Sequence, residues 1–176
     1  KPLSAHSPNS SPKILAIEAS ANQLSIAVLI DGQVVAERRH LAANGHAAGI
    51  VPLTIETLND AGETFDGFTH VAAGCGPGSF TGLRVSLAAA KGGCLARDII
   101  GLGISGLEAL AFSSSGVLNG LPVLCLADTR RGNVYAQLFA SDITPHGTIF
   151  EAHIDQLPFL VPASICADGL MLAGYG

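Results

Sequence analysis

One stretch limits the possible folds of this chain more than any other: Gly74-Cys-Gly-Pro-Gly-Ser-Phe-Thr-Gly-Leu-Arg84. It follows a short run of small apolar residues, Thr69 to Cys75, and precedes a helix-patterned segment from about Thr81 to Arg97. A strand buried on both faces, a glycine-rich turn and a helix start therefore follow one another directly. This is the grammar of an α/β fold. The turn does not match G-x-x-x-x-G-K-[ST], since no Gly-Lys pair closes it, and G-x-G-x-x-G fails at Thr81. Backbone N–H groups at a helix start with Ser79 and Thr81 as capping hydroxyls still favour an anion. Gly76, Gly78, Ser79, Thr81 and Gly82 are therefore candidate nucleotide-binding residues. The alternative is that the glycines only permit tight turning and close approach of helix to strand.

The remaining pattern builds around this unit. Lys13 to Glu18 and Leu24 to Ile30 read as strands, Asp31-Gly32 is a hairpin signal, and Gln33 to His40 reads as a third strand. This antiparallel meander is followed by a helix from His46 to Ala61, with Val51, Ile55 and Leu58 in one row and Ile50, Thr54, Thr57 and Ala61 in another. Pro52 is placed near its first turn or at a kink. Ile99 to Ile104 is a fifth strand, and Ser105 to Glu108 resembles a capping box opening a short helix. Ser113 to Gly120 reads as a linker. The pattern then restarts with strands at Pro122–Ala127, Asn133–Ala140 and Thr148–Ile154, and Glu18 and Asp128 close the first strand of each half. The expected organisation is a Ser- and Pro-rich disordered tail over 1–12, a first lobe over 13–112 and a partial second lobe over 121–176.

Composition narrows the function classes. Charged residues make up 13% of the chain and hydrophobic ones 48%, with a net charge of −5. Soluble domains average about 25% charged residues, so neither intrinsic disorder nor a basic nucleic-acid-binding surface fits. No apolar run reaches the ~18 residues of a membrane span. Low charge then means either a well-buried core rich in Ala and Gly or a surface that another protein covers. The four cysteines form no C-x-x-C pair and read as buried thiols in a reducing, cytoplasmic setting. The six histidines make no H-x-x-x-H or H-E-x-x-H, so no protein-only metal site is expected. Arg84 at a helix start opposes the local dipole and calls for an anionic partner, with Glu18 a candidate. Asp128 with Arg130-Arg131 reads more readily as a solvated turn than as a nucleotide or tRNA contact. Ala88-Ala-Ala-Lys-Gly-Gly93 puts two glycines inside a helix, each costing roughly 1 kcal/mol relative to Ala. Close approach of another helix, in this chain or a partner, would offset that.

Four strings taken together carry a family pattern: Ile14-Leu-Ala-Ile-Glu-Ala-Ser20, Gly76-Pro-Gly-Ser-Phe-Thr-Gly-Leu-Arg84, Ile104-Ser-Gly-Leu-Glu-Ala-Leu110 and Ala127-Asp-Thr-Arg-Arg-Gly-Asn-Val-Tyr135. In order and spacing they resemble the TsaB (YeaZ) family across most of Lys13 to Gly176. The resemblance implies the actin-like ATPase superfamily fold, two ribonuclease-H-like lobes in α/β arrangement. It implies a part in making N6-threonylcarbamoyladenosine in tRNA, as a non-catalytic scaffold for the paralogue TsaD, which holds the metal, with the ATPase TsaE joining. On this reading tRNA is met only through the complex, no cofactor is required by this chain, ATP or ADP with Mg belongs to the assembly, and the isolated chain could form a homodimer. The superfamily's first phosphate loop reads like Asp-x-Gly-Thr, whereas Glu18-Ala-Ser20 stands here. The paralogue's histidine pair corresponds to His46-Ala-Ala-Gly-Ile50, and an isoleucine binds no metal. The expected partner interface comprises Ile50, Val51, Ile55 and Leu58 on the first helix with Val85, Ala88, Lys91 and Gly92 on the second. Two other functions compete: a nucleotide-binding ATPase or sugar-kinase-like enzyme, and a glycopeptidase-like metalloprotease.

Overall fold

A computed structural model describes residues 11–20, 23–41 and 46–175. Residues 1–10 of the expected tail lie outside the described residues. The first half is a five-stranded sheet in the order β3-β2-β1-β4-β5. Its strands are β1 (Lys13–Glu18), β2 (Leu24–Ile30), β3 (Gln33–His40), β4 (His70–Gly74) and β5 (Ile100–Ile104). β1, β2 and β3 pair antiparallel, as the Asp31-Gly32 turn requires, and both residues of that turn have positive φ. β4 and β5 join in parallel through crossover helices α1 (His46–Asp60) and α2 (Phe80–Arg97).

Both helices lie on one face of this sheet. Leu15, Ile17, Leu24, Ile26, Val28 and Val71 point into it and meet Ile50, Leu58 and Ala90. Each such side chain, fully buried, contributes roughly 1.5–3 kcal/mol of transfer free energy. Thr57 is also fully buried, and its hydroxyl donates to the Leu53 carbonyl at 2.7 Å, so that hydroxyl is satisfied. Pro52 stands inside α1, past the first turn. α2 ends where Asp98 takes the left-handed conformation with φ of 54°.

The second half repeats the strand plan with β6 (Val123–Asp128), β7 (Asn133–Phe139), β8 (Pro145–His153) and β9 (Met171–Tyr175), in the order β8-β7-β6-β9. β6 and β7 pair antiparallel, while β9 runs parallel to β6 as β4 does to β1. The sequence reading missed β9, because Met171-Leu-Ala-Gly-Tyr175 is short and shows no period of its own. It also missed the one-turn helix α4 (Leu157–Leu160).

The connection between the halves differs from the expected linker. α3 (Gly106–Ser114) is capped by Ser105, whose hydroxyl accepts from the Glu108 N–H at 3.4 Å. A 3-10 turn, Ser115–Val117, continues it, and Leu118 is buried. Leu107 and Ala111 of α3 pack with Val123, Cys125, Ala127 and Phe139 of the second sheet. A lobe boundary at 112 therefore cuts a helix that belongs, by packing, to the second core; the break in packing falls at Ser105. The opposite face of the second sheet is filled by Leu124, Ala136, Leu138, Ala152 and Leu157.

All four cysteines are free thiols, but they are not uniformly buried as expected. Cys125 lies in the second core, and burial pushes its thiol up to about 11. Cys75 is exposed, because it falls one residue beyond β4, on the glycine turn.

Candidate functional site

The glycine-rich turn lies against the end of β1. The Ser79 N–H donates to the Ser20 carbonyl at 2.8 Å, and Ser79 caps α2 through the Gly82 N–H at 3.3 Å. The Leu83 N–H closes the first helical bond to the Ser79 carbonyl at 2.9 Å. A Cβ on Gly78 would stand 2.6 Å from the Ser20 carbonyl, and one on Gly82 would overlap the Ala19 carbonyl. Both obstacles are backbone, so Gly78 and Gly82 are fixed by close approach to Ala19-Ser20. Gly76 adopts φ of 107°, and its carbonyl accepts from the Gly106 N–H at 2.7 Å. Thr81 stands exposed in the first turn and supplies no cap. Of the five candidate nucleotide residues, four thus have a structural duty within the chain, and the N–H groups of Ser79 and Gly82 among them are already bonded.

Glu18 turns back on its own loop, and one of its carboxylate oxygens accepts from the Ser20 N–H. The expected pairing with Arg84 is absent. The Arg84 guanidinium instead sits 5.3 Å from the centroid of the exposed Phe80 ring, one helical turn back, a cation–π contact. Next to Glu18 a cavity of about 210 Å³ opens on the uncovered face of the first sheet, with Ala16, Ala72, Gly74, Ser105 and Ala109 among its walls. Among the described residues, Glu18 is the only ionisable side chain lining it. Ligand pockets typically span about 300–1,000 Å³, and a lone carboxylate repels phosphate. Tyr175 of β9 reaches across to the glycine turn, its hydroxyl donating to the Pro77 carbonyl at 3.1 Å. Burial and, to a lesser degree, the charge of Glu18 push the pKa of this phenol above its ordinary value. Sequence reasoning gave Tyr175 no role; no local pattern marks a contact across 98 positions.

The second candidate surface lies on the outer side of the helices. The eight expected interface residues divide. Ile50 and Leu58 are buried in the chain's own core, and Val85 is half-buried against it. This corrects the expectation for Ile50 and Leu58: in α1 they lie eight residues apart on the inner row with Thr57, while Val51 and Ile55 lie outside that row. Val51 is 64% exposed and Ile55 54%. Ala88, Lys91 and Gly92 are exposed on α2. α1 and α2 pack against each other, so their outer faces form one surface. Leu87 and Leu95 extend it, the latter 77% exposed. Both were legible in the spacing Leu87, Lys91, Leu95, one row along a helix, and were overlooked. A Cβ on Gly92 would meet nothing within 4 Å among the described residues, so no described neighbour explains that glycine; Gly93 is explained, since a Cβ there would stand 2.8 Å from the Phe65 ring.

Among the described residues no three His, Cys, Asp or Glu side chains gather as a metal site, and no described helix is long and apolar enough to cross a membrane. Asp128 accepts from the Arg130 N–H at 2.7 Å, which makes 128–132 an exposed turn closed on itself.

The molecule compares with known proteins as follows. The family model described as "TsaD: tRNA N6-adenosine threonylcarbamoyltransferase" matches residues 32–155. The tRNA threonylcarbamoyladenosine biosynthesis protein TsaB of Escherichia coli is 32% identical over 123 residues, covering 70% of this chain and 53% of that protein. The Bacillus subtilis TsaB is 33% identical over 126 residues, covering 72% and 54%. The chain therefore spans about half the length of these curated relatives. The crystal structure of YeaZ from Pseudomonas aeruginosa superposes with a TM-score of 0.79 at 24% identity, over 93% of this chain and 76% of that one. Two α/β sheets with matching strand orders, related in this way to YeaZ, give the actin-like ATPase fold expected from the sequence. With a TsaD-type domain over most of its length and TsaB proteins as its relatives, the chain belongs to the TsaB (YeaZ) family.

Proposed function

We propose that this chain is a non-catalytic scaffold in the formation of N6-threonylcarbamoyladenosine on tRNA, docking TsaD with the outer face of α1 and α2. The observation that carries this reading is the apolar surface of Val51, Ile55, Leu87, Ala88 and Leu95 on two adjacent helices. Large apolar side chains grouped on one exposed face mark a protein interface, and the few polar groups among them, Lys91 above all, would set orientation. Its chemistry complements that face. Among the described residues, the cavity beside Glu18 offers one carboxylate and no cation, which disfavours a polyphosphate bound by this chain alone. Isoleucine at position 50, four residues after His46 and buried in the core, leaves α1 without a second histidine for a metal. Transfer chemistry and its metal then belong to TsaD, nucleotide with Mg to the assembly including TsaE, and tRNA is met through the complex, in the cytoplasm.

The test is a reconstituted threonylcarbamoyl transfer to tRNA with TsaD and TsaE. The rate is expected to depend on this chain. Val51→Asp and Ala88→Glu are expected to abolish co-elution with TsaD and drop the rate to the level without the chain, while the circular dichroism spectrum is unchanged. Transfer at full rate without the chain overturns the reading. Calorimetric binding of Mg-ATP to the isolated chain tighter than ~10 μM, about −7 kcal/mol, replaces it with the ATPase reading.

A further inference from the structure

Strand alternation builds the cavity beside Glu18. Leu15 and Ile17 of β1, Ile26 and Val28 of β2, and Val71 and Ala73 of β4 point into the helix-covered core. The side chains between them therefore point to the other face. Register sets Ala27, Ala16 and Ala72 side by side across three strands, and it sets Ser25 opposite Glu18. A sheet face turned to solvent ordinarily carries polar side chains. Here its floor is methyl groups, and the hollow over them measures about 210 Å³, bordered by Ser105 and Ala109 at the start of α3.

One charge faces this hollow. Glu18 has no cationic partner among the described residues. One of its oxygens accepts from the Ser20 N–H. The other lies where a side chain at position 74 would stand, so glycine there keeps the room that the carboxylate occupies. The hydroxyls of Ser25 and Ser105 line the cavity with it. An ammonium group carries three N–H donors and no acceptor, which a carboxylate and neighbouring hydroxyl oxygens match. Its attraction to the carboxylate rises where apolar walls lower the local dielectric.

We propose that this cavity binds a small organic ammonium ion, its charged end at Glu18 and Ser25 and its apolar body over the three alanines. The volume sets the size of that body. An apolar cavity of about 150 Å³ takes up benzene, so 210 Å³ holds one such ring with a short arm. The site goes beyond the scaffold reading and is independent of it, because it occupies the face of the sheet opposite α1 and α2. Its walls come from the first sheet and from α3, which packs with the second core. A bound amine therefore also braces the seam between the halves.

Benzylamine, protonated at neutral pH, is the probe, with benzyl alcohol and benzoate as neutral and anionic counterparts of similar shape. NMR titration of the nitrogen-15-labelled chain is expected to shift the amides of Ala16, Glu18, Gly74 and Ser105. The expected dissociation constant is about 1 mM, within reach of a molecule this small. Benzyl alcohol should bind at least ~10-fold more weakly, for want of a charge-assisted hydrogen bond, and benzoate should not bind. Glu18→Gln keeps an acceptor for the Ser20 N–H and should erase the preference for amine over alcohol. Ala109→Phe, at an exposed position of α3, should fill the hollow and weaken both. It decides the matter, with the three probes on the wild-type chain, if Glu18→Gln fails to fold. Val51→Asp should leave amine binding unchanged, so a failed scaffold reading leaves this result standing. Equal affinity for amine and alcohol, a preference that survives Glu18→Gln, binding untouched by Ala109→Phe, or no shift at the cavity in about 10 mM amine overturns the proposal.

Discussion

The two sheets follow the same strand plan but are dressed differently. The first has a full helical layer on one face and a largely open opposite face, with Ala16, Ala72 and Gly74 around a cavity. The second is covered on both faces, by α3 on one side and by Leu157, Val161 and Ile165 on the other. Between β3 and β4 runs a fifteen-residue helix, while between β8 and β9 stands only a 3-10 turn and the four residues of α4. Only the first half therefore displays paired amphipathic helices. The lesson is a division of labour: the first sheet presents surfaces, and the second supplies a closed core.

That contrast can be broken experimentally. The largest effect is expected in the closed core. Phe139 is fully buried, and Phe139→Ala should lower stability by about 3–5 kcal/mol, read by urea denaturation. A loss under ~1 kcal/mol would mean the second core is looser than drawn. Next comes the glycine turn. Gly82→Ala drives a methyl into the Ala19 carbonyl and should cost about 2–3 kcal/mol, whereas Gly92→Ala on the open helix face should stabilise by up to ~1 kcal/mol.

Cys125 sharpens the comparison through pH. Its folded value of about 11 lies above that of an exposed thiol. As pH rises past the unfolded value near 8.5, the unfolded chain loses its proton first. Stability should therefore hold below that pH and fall by about 2–3 kcal/mol as pH approaches 11. Cys125→Ala should remove that part of the slope in denaturation midpoints measured from pH 8 to 10.5. The smallest effect is expected at the seam between the halves. Tyr175→Phe deletes the bond to the Pro77 carbonyl and should cost about 0.5–1.5 kcal/mol, with both cores intact by near-ultraviolet dichroism.

Much of this was legible in the sequence, for identifiable reasons. The Asp31-Gly32 hairpin, the strand–turn–helix unit and the second meander carry strong local signals, and all three stand where periodicity put them. β9 was not, since five mixed residues carry no period and its place is set by pairing with β6, nearly fifty positions earlier. The sorting of α1 into an inner row with Ile50 and Leu58 and an outer row with Val51 and Ile55 was half visible. The sequence shows a wide apolar stripe, and only the position of the sheet decides which edge of it is covered. Arg84 shows another limit: the unfavourable dipole was readable, but its answer came from Phe80 four residues back rather than from a distant carboxylate.

The placement of α3 has a consequence for biosynthesis. A ribosome releases Leu107 and Ala111 before it has made Val123, Cys125 or Phe139, the side chains they seal against. The first sheet is complete once Ile104 has emerged, yet this next helix must wait, greasy side bare, for some thirty further residues until Phe139 is made. Nascent chains halted between Ser115 and Gly120 are thus the species a chaperone would grip most firmly.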